Sequence, residues 1–329
     1  MQQFDTRSVG ALLLVGVVFG VLPLVLPGTM MREITRLAVF AGSAMTLNLL
    51  VGATGLISLG QGLFFGVGAY VVAIGTIKYG MPYGHTILLG LALAIPLSLA
   101  VALISLRARH LFFGLLTLAI GQVAYVLVAR SYRLTGGDDG LVGVTIPFWL
   151  DTDLAKHFLA VAVLVVIGLL LLRLLASPFG TMLAAVRDNA DRIASLGGNP
   201  RLYEIMVMVI TGVLGTVFGI VSATTEGNVD PSMFSWTASA MFLMMVALGG
   251  RSIFLGPMLG TVILELSRGY VQIHSANSDL VVGLIVIACA LVFPEGLGRA
   301  LSALAGKLAA PRGAGDGVNS PVEAAEGRS

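Results

Sequence analysis

The chain has 329 residues, of which 57% are hydrophobic and only 11% charged, and its formal net charge is +2. A mean hydropathy of +0.97 is far above what the core of a soluble domain of this size requires, so the bilayer is the solvent in which this sequence folds. The near-neutral balance gives no basic field for nucleic acid. The single Cys289, inside an apolar run, excludes an internal disulfide and reads as a small membrane hydrophobe.

Apolar runs of roughly 17 to 25 residues, the length that crosses ~30 Å of hydrocarbon, predict helices. In chain order they cover about 9–27, 35–52, 62–78, 86–106, 111–130, 157–175, 205–224, 236–250, 253–272 and 278–294. The eighth and ninth read equally as one broken hairpin around Gly249-Gly250-Arg251, so an all-α polytopic membrane protein with eight to ten transmembrane helices is expected. Residues 1–305 form the transmembrane domain in this reading, and 306–329, rich in Ala, Gly, Pro and charge without periodicity, a disordered cytoplasmic tail. Arg7 before the first run imitates a signal peptide, but no small-x-small cleavage site follows, and Pro23 and Pro27 suit a retained helix. Most Lys and Arg, including Arg107, Arg109, Arg173, Arg187, Arg192, Arg201 and Arg251, fall on the side that also holds both termini. The positive-inside rule makes that side cytoplasmic.

The polar interruption Ser177 to Glu204 concentrates charge in a chain that otherwise has little. Ser177 followed by Pro178 reads as a helix start outside the bilayer. Met182, Ala185, Val186, Asn189, Ile193 and Leu196 recur at spacings of three and four, a weakly apolar stripe. Arg187, Asp188, Asp191 and Arg192 lie off it, Asp188 and Arg192 being spaced for an i, i+4 pair. Gly197-Gly198-Asn199-Pro200 ends the helix, and a further helix begins near Tyr203. From the residues alone, a helix resting on lipid and a helix docking a partner both remain open.

The pattern R-D-N-x-D-x-x-A-S-x-G from Arg187 to Gly197 resembles the cytoplasmic coupling loop of ABC importer permeases. The whole chain is similar, over about 35–300, to the permeases of branched-chain amino acid ABC importers, whose membrane unit is a heterodimer of two related permeases. Leu47 to Gly62, Ser177-Pro178-Phe179-Gly180, Met245 to Gly250 with Gly256-Pro257, and Phe293-Pro294-Glu295-Gly296-Leu297 carry the likeness. The chain departs from the family at Gly198, where Ile is common, and at Ile193-Ala194, where an Ala pair is common; both keep the helix-ending chemistry. The resemblance implies a bacterial inner-membrane permease with two cytoplasmic ATPase subunits, a second related permease and a solute-binding protein outside. It implies an ATPase-coupling loop of Met182, Val186, Arg187, Asp188, Asn189, Asp191, Ile193, Ala194, Leu196 and Gly197. In that picture the apolar stripe fills a groove on the ATPase and Arg187, Asp188 and Asp191 set its register at the rim.

No P-loop is present, so no cofactor is expected on this chain and ATP is expected to be used by partner subunits; no metal site or catalytic residue is expected either. Polar side chains inside apolar runs face protein or a cavity, which makes Asn48, Ser58, Gln61, Gln122 and Glu265 candidates for the translocation path. Hydrogen bonding between helices is an equal account of each, and Glu265 has Arg268 one turn away as a partner. Urea, short amides or aromatic acids are alternative solutes. An ion-coupled secondary transporter would need mid-membrane charge, which only Glu265 offers, and His85, His110, His157 and His274 sit too near run ends for an intramembrane enzyme. A weak echo between Leu59–Gly68 and Leu248–Pro257, both assigned to cytoplasmic helix ends, suggests repeated halves.

Overall fold

The computed structural model describes residues 6–25, 28–108 and 111–274, with positions 280, 283, 284, 287 and 296. The last predicted run, 278–294, and the tail otherwise lie outside the described residues. In order the helices are α1 (Thr6–Val25), α2 (Gly28–Thr54), α3 (Gln61–Ala73, prolonged by a π turn Ile74–Lys78), α4 (Tyr83–Ser105) and α5 (Leu111–Arg130). A single turn α6 (Tyr132–Thr135) is followed by α7 (Asp153–Ala176), α8 (Pro178–Ser195), α9 (Pro200–Glu226), α10 (Trp236–Gly249) and α11 (Gly256–His274). The eighth and ninth predicted runs are therefore two helices joined by a turn, packed side by side.

Six of these helices are long and apolar enough to cross a membrane: α2, α3 with its π turn, α4, α5, α7 and α9. The apolar stretches Ser8–Leu22 and Trp236–Gly249 are shorter. The protein is a multi-pass, all-α membrane protein. Its layering follows from which faces are covered. The most apolar window of α2 is 78% buried and that of α9 61%, whereas that of α5 is 22%. Thus α2, α3 and α9 form the centre, while α4, α5 and α7 turn Leu88, Leu93, Leu111, Phe112, Val123 and Val166 outward, as lipid contact demands. In the centre, glycine lets backbones touch: a Cβ on Gly68 would strike the Thr216 carbonyl, and one on Gly219 the Phe65 carbonyl.

Two helices start half-way along the bundle. Gln61, the first residue of α3, donates from Nε2 to Thr46 Oγ1 (2.9 Å) and to the Ser43 hydroxyl (3.3 Å). Ser43 precedes the end of α2 by eleven residues, ~16 Å at 1.5 Å per residue, so the chain from Gly55 to Gly60 climbs back into the bundle before helix resumes. At that depth the Gly62 amide donates to Ser239 Oγ (2.9 Å), which places the first turn of α10 there too. From it α10 descends to the end that carries α8, where Arg251 meets Gly52 of α2. The descent to α10 comes from the other end, through β2 (Asn228–Val229), paired antiparallel with β1 (Leu141–Val142), and a 3-10 turn Pro231–Phe234.

These two breaks are related. Both α2 and α9 have 27 residues. Each is followed by a left-handed glycine, Gly55 (φ 75°) or Gly227 (φ 72°), that turns the chain back toward mid-depth, and the two halves run in opposite directions. The internal relation thus joins α2–α3 with α9–α10. It replaces the expected echo of Leu59–Gly68 with Leu248–Pro257, because the first of those stretches begins at mid-depth and only the second lies at a bundle end.

Candidate functional site

At one end of the bundle α8 lies against α2, α7 and α9. Ser177 has the extended backbone of a cap, but its hydroxyl donates to the Leu174 carbonyl (2.6 Å) instead of accepting an amide from the new helix. Leu183 and Val186 are buried, which fixes the first half of α8 to the bundle. At Asn189 the helix breaks (φ −162°, ψ 93°), and Asn189 Oδ1 accepts the Arg192 amide at 2.9 Å, capping a second short helical stretch. Gly197, at φ 85°, closes it, with the Gly198 amide donating to the Ile193 carbonyl at 3.0 Å. Asn199 Oδ1 accepts the Leu202 amide, so α9 begins at Pro200 rather than near Tyr203.

The break divides the predicted stripe. Val186 faces the bundle and Met182 and Ile193 are half-buried, while Asp188, Asn189, Asp191, Ala194, Gly197 and above all Leu196, 77% exposed, point to solvent. The expected i, i+4 pair is absent because the kink separates its members: Asp188 Oδ1 instead accepts from the neighbouring Arg187 guanidinium at 3.3 Å. Arg187 also turns inward. Its Nη1 donates to the Gly52 carbonyl in the last turn of α2 at 2.8 Å.

At mid-depth the structure brings two of the five path candidates, Ser58 and Gln61, to one neighbourhood, while the Asn48 amide oxygen lies toward Gly52. Ser58 and Gln61 are buried in the climb from α2 to α3; Ser58 Oγ accepts the Gly60 amide, and the Leu59 amide donates to Thr117 Oγ1 of α5. Gln122, just over one turn along α5 from Thr117, and Asn48, half a turn from Thr46 on α2, each hold a buried amide oxygen that has no hydrogen-bond partner among the described residues. Glu265 stands apart. Its side chain is 5% exposed and pairs with Arg36 of α2 (3.4 Å), which also holds Glu33 (2.7 Å). Arg268, the expected partner, donates to Met241 Sδ instead. Ser43, Thr46, Thr117, Ser239 and Arg36 complete these networks and escaped the sequence reading; for the hydroxyls the only signal was a Ser or Thr in an apolar run.

The opposite end holds a polar cavity of about 130 Å³ between α2, α7 and α9, crossed by the Arg32–Asp153 ion pair (3.3 Å) and reaching Lys156 and Glu226.

A model of the branched-chain amino acid transport system permease component family matches residues 29–290, from the start of α2 past the end of α11. The chain belongs to that family. Permease proteins LivM of the high-affinity branched-chain amino acid transport systems of Escherichia coli and Salmonella typhimurium are 26% and 25% identical to it over 278 residues. That is 76% of this chain, which spans 65% of the length of these relatives. The autoinducer 2 import system permease protein LsrC of Photorhabdus laumondii is 23% identical over 304 residues, 86% of this chain and 88% of that protein. No solved structure matches. The α8 segment and both mid-depth breaks lie within the matched region.

Proposed function

We propose that the chain is a membrane permease of an ATP-driven importer in the bacterial inner membrane, that it carries branched-chain or related hydrophobic amino acids, and that α8 is its coupling element. The observation that carries the reading is the exposed second half of α8, capped by Asn189 and closed by Gly197, projecting from a bundle whose family match spans it. In this reading the α8 end is cytoplasmic. Of two ATPase subunits, one grips 188–197 there through Leu196 and Ile193, ringed by Asp188, Asp191 and Ala194, and the other grips the matching helix of a partner permease. A second related permease completes the membrane unit, and a solute-binding protein delivers at the opposite end. The ATP is used by those partners. Asn48, Ser58, Gln61 and Gln122 line the path, the unpartnered oxygens of Asn48 and Gln122 supplying polar contacts. Glu265 takes a structural role in the outer half of the bundle.

A second solute reading rests on the autoinducer 2 permease, which this chain matches over nearly its whole length. The test is affinity purification from native membranes with mass spectrometry, then uptake of labelled leucine by reconstituted vesicles. Two ATPases and a second permease in stoichiometric yield, with saturable leucine uptake, are expected, and Leu196→Asp is expected to strip the ATPases. A chain that purifies alone yet supports uptake overturns the importer reading. An intact complex that takes up autoinducer 2 and not leucine overturns only the solute.

A further inference from the structure

We infer that Arg187 is a positioning residue that ties the coupling helix to the broken segment 55–60, so that force on 190–197 reaches mid-depth through one guanidinium. The inference rests on the coupling role given to α8 above. Three observations converge on it. First, Arg187 is the last inward-facing residue before the break at Asn189: Leu183 and Val186 anchor the half of α8 that carries it, and the exposed half swings beyond it. Second, its Nη1 takes the Gly52 carbonyl, one of the last four of α2, which have no partner in their own helix and where the helix dipole is negative. Third, its aliphatic stem covers Gly55, since a Cβ on that left-handed glycine would stand 3.3 Å from Arg187 Cγ.

What Arg187 holds is confined from behind. A Cβ on Gly52 would lie 2.7 Å from the Arg251 carbonyl and 2.9 Å from Asn48 Oδ1, so the end of α2 is clamped between the start of the α10–α11 turn and the guanidinium. Releasing one side frees that end to shift. From Gly55 the chain reaches Ser58 and Gln61 within six residues, where hydrogen bonds of 2.9–3.2 Å hold Leu59 to Thr117, Gly60 to Ser58 and Gln61 to Thr46. Asp188 aims the guanidinium by accepting from Nε and Nη2, both at 3.3 Å. The side chain is 45% exposed, so solvent screens these contacts and the clamp can open without stranding a buried charge. Arginine suits the task because its planar fork addresses the carbonyl and the carboxylate together; lysine is a single point charge.

The test uses the complete transporter in proteoliposomes, with leucine as probe, in a Cys289→Ser background. Arg187→Met and Arg187→Lys are compared by leucine moved per ATP, by retention of the ATPase subunits, and by maleimide labelling of Ile57→Cys with and without ATP and vanadate. The expected result is that Arg187→Met keeps the ATPases bound but moves at least five-fold less leucine per ATP. The nucleotide-dependent change in labelling at position 57 is lost, and Arg187→Lys recovers part of both. A normal ratio in Arg187→Met overturns the inference, as does loss of the ATPases in that variant, which would make Arg187 a docking residue. If the unmodified complex shows no ATPase association or no leucine uptake, the functional reading itself has failed, and the two failures are thereby told apart.

Discussion

Replacing Arg36 by Met tests whether Glu265 serves transport or holds the bundle. Arg36 is the only cation paired with Glu265 among the described residues, and the carboxylate is 5% exposed, so its removal leaves a buried charge that only the unpaired Arg268 still offsets. Breaking a buried pair in this way costs about 3–5 kcal/mol. Because Arg36 itself is 39% exposed and divides its charge with Glu33, the lower end of that range applies, about 3 kcal/mol. At roughly 2 °C per kcal/mol for a chain of this size, thermal unfolding in detergent should fall by about 6 °C. The double variant Arg36→Met, Glu265→Leu should recover most of that loss, since no charge is left buried. The assay is a two-by-two cycle of melting temperatures with leucine uptake measured on each variant. Equal destabilisation in the Arg36 single and the double variant would refute the pairing as the source. A Glu265→Gln protein that melts normally but moves no leucine would refute the structural role.

Two further outcomes follow from backbone contacts. Gly219→Val forces a side chain into the Phe65 carbonyl and should abolish folded yield on size-exclusion, whereas Gly84→Ala, where a Cβ meets nothing within 4 Å, should change melting by no more than about 1 °C. Asn189→Ala removes the cap on the second half of α8, a loss of about 1 kcal/mol, and should raise hydrogen exchange at 190–195 while leaving the amides of 178–186 unchanged.

The long helices were legible because an apolar run of membrane length has no competing structure, and nine predicted runs correspond to observed helices. Depth was not legible. The run 62–78 looks like any full crossing, and the bonds from Gln61 to Thr46 and Ser43 reveal that it starts half-way; hydropathy carries no information on where along a neighbour a helix begins. In α8 the spacing of Met182, Val186 and Ile193 promised one face, yet the break at Asn189 rotates the second part, so Leu183 joins Val186 inside while Leu196 stands out. The partner of Glu265 was misjudged for a related reason: Arg268 is near in sequence, but Arg36, on the other side of the chain, is the cation that α2 brings alongside α11.

The short length of α10 bears on how the protein enters the membrane. Its 14 residues span ~21 Å, against ~30 Å of hydrocarbon, so α10 emerging alone from the ribosome cannot bridge the bilayer. Its upper end is completed by contacts made much earlier in the chain, the Gly62 amide on Ser239 and the Phe234 ring against Gly66. Its lower half is fastened to α11, where Gly260 lies against the Met245 carbonyl. Insertion of this region is therefore a tertiary event: α10 and α11 enter as a hairpin and lodge in a cradle that α2 and α3 have already built. A substitution at Gly62 would then be met by the quality-control machinery as a failure to insert a segment nearly two hundred residues downstream.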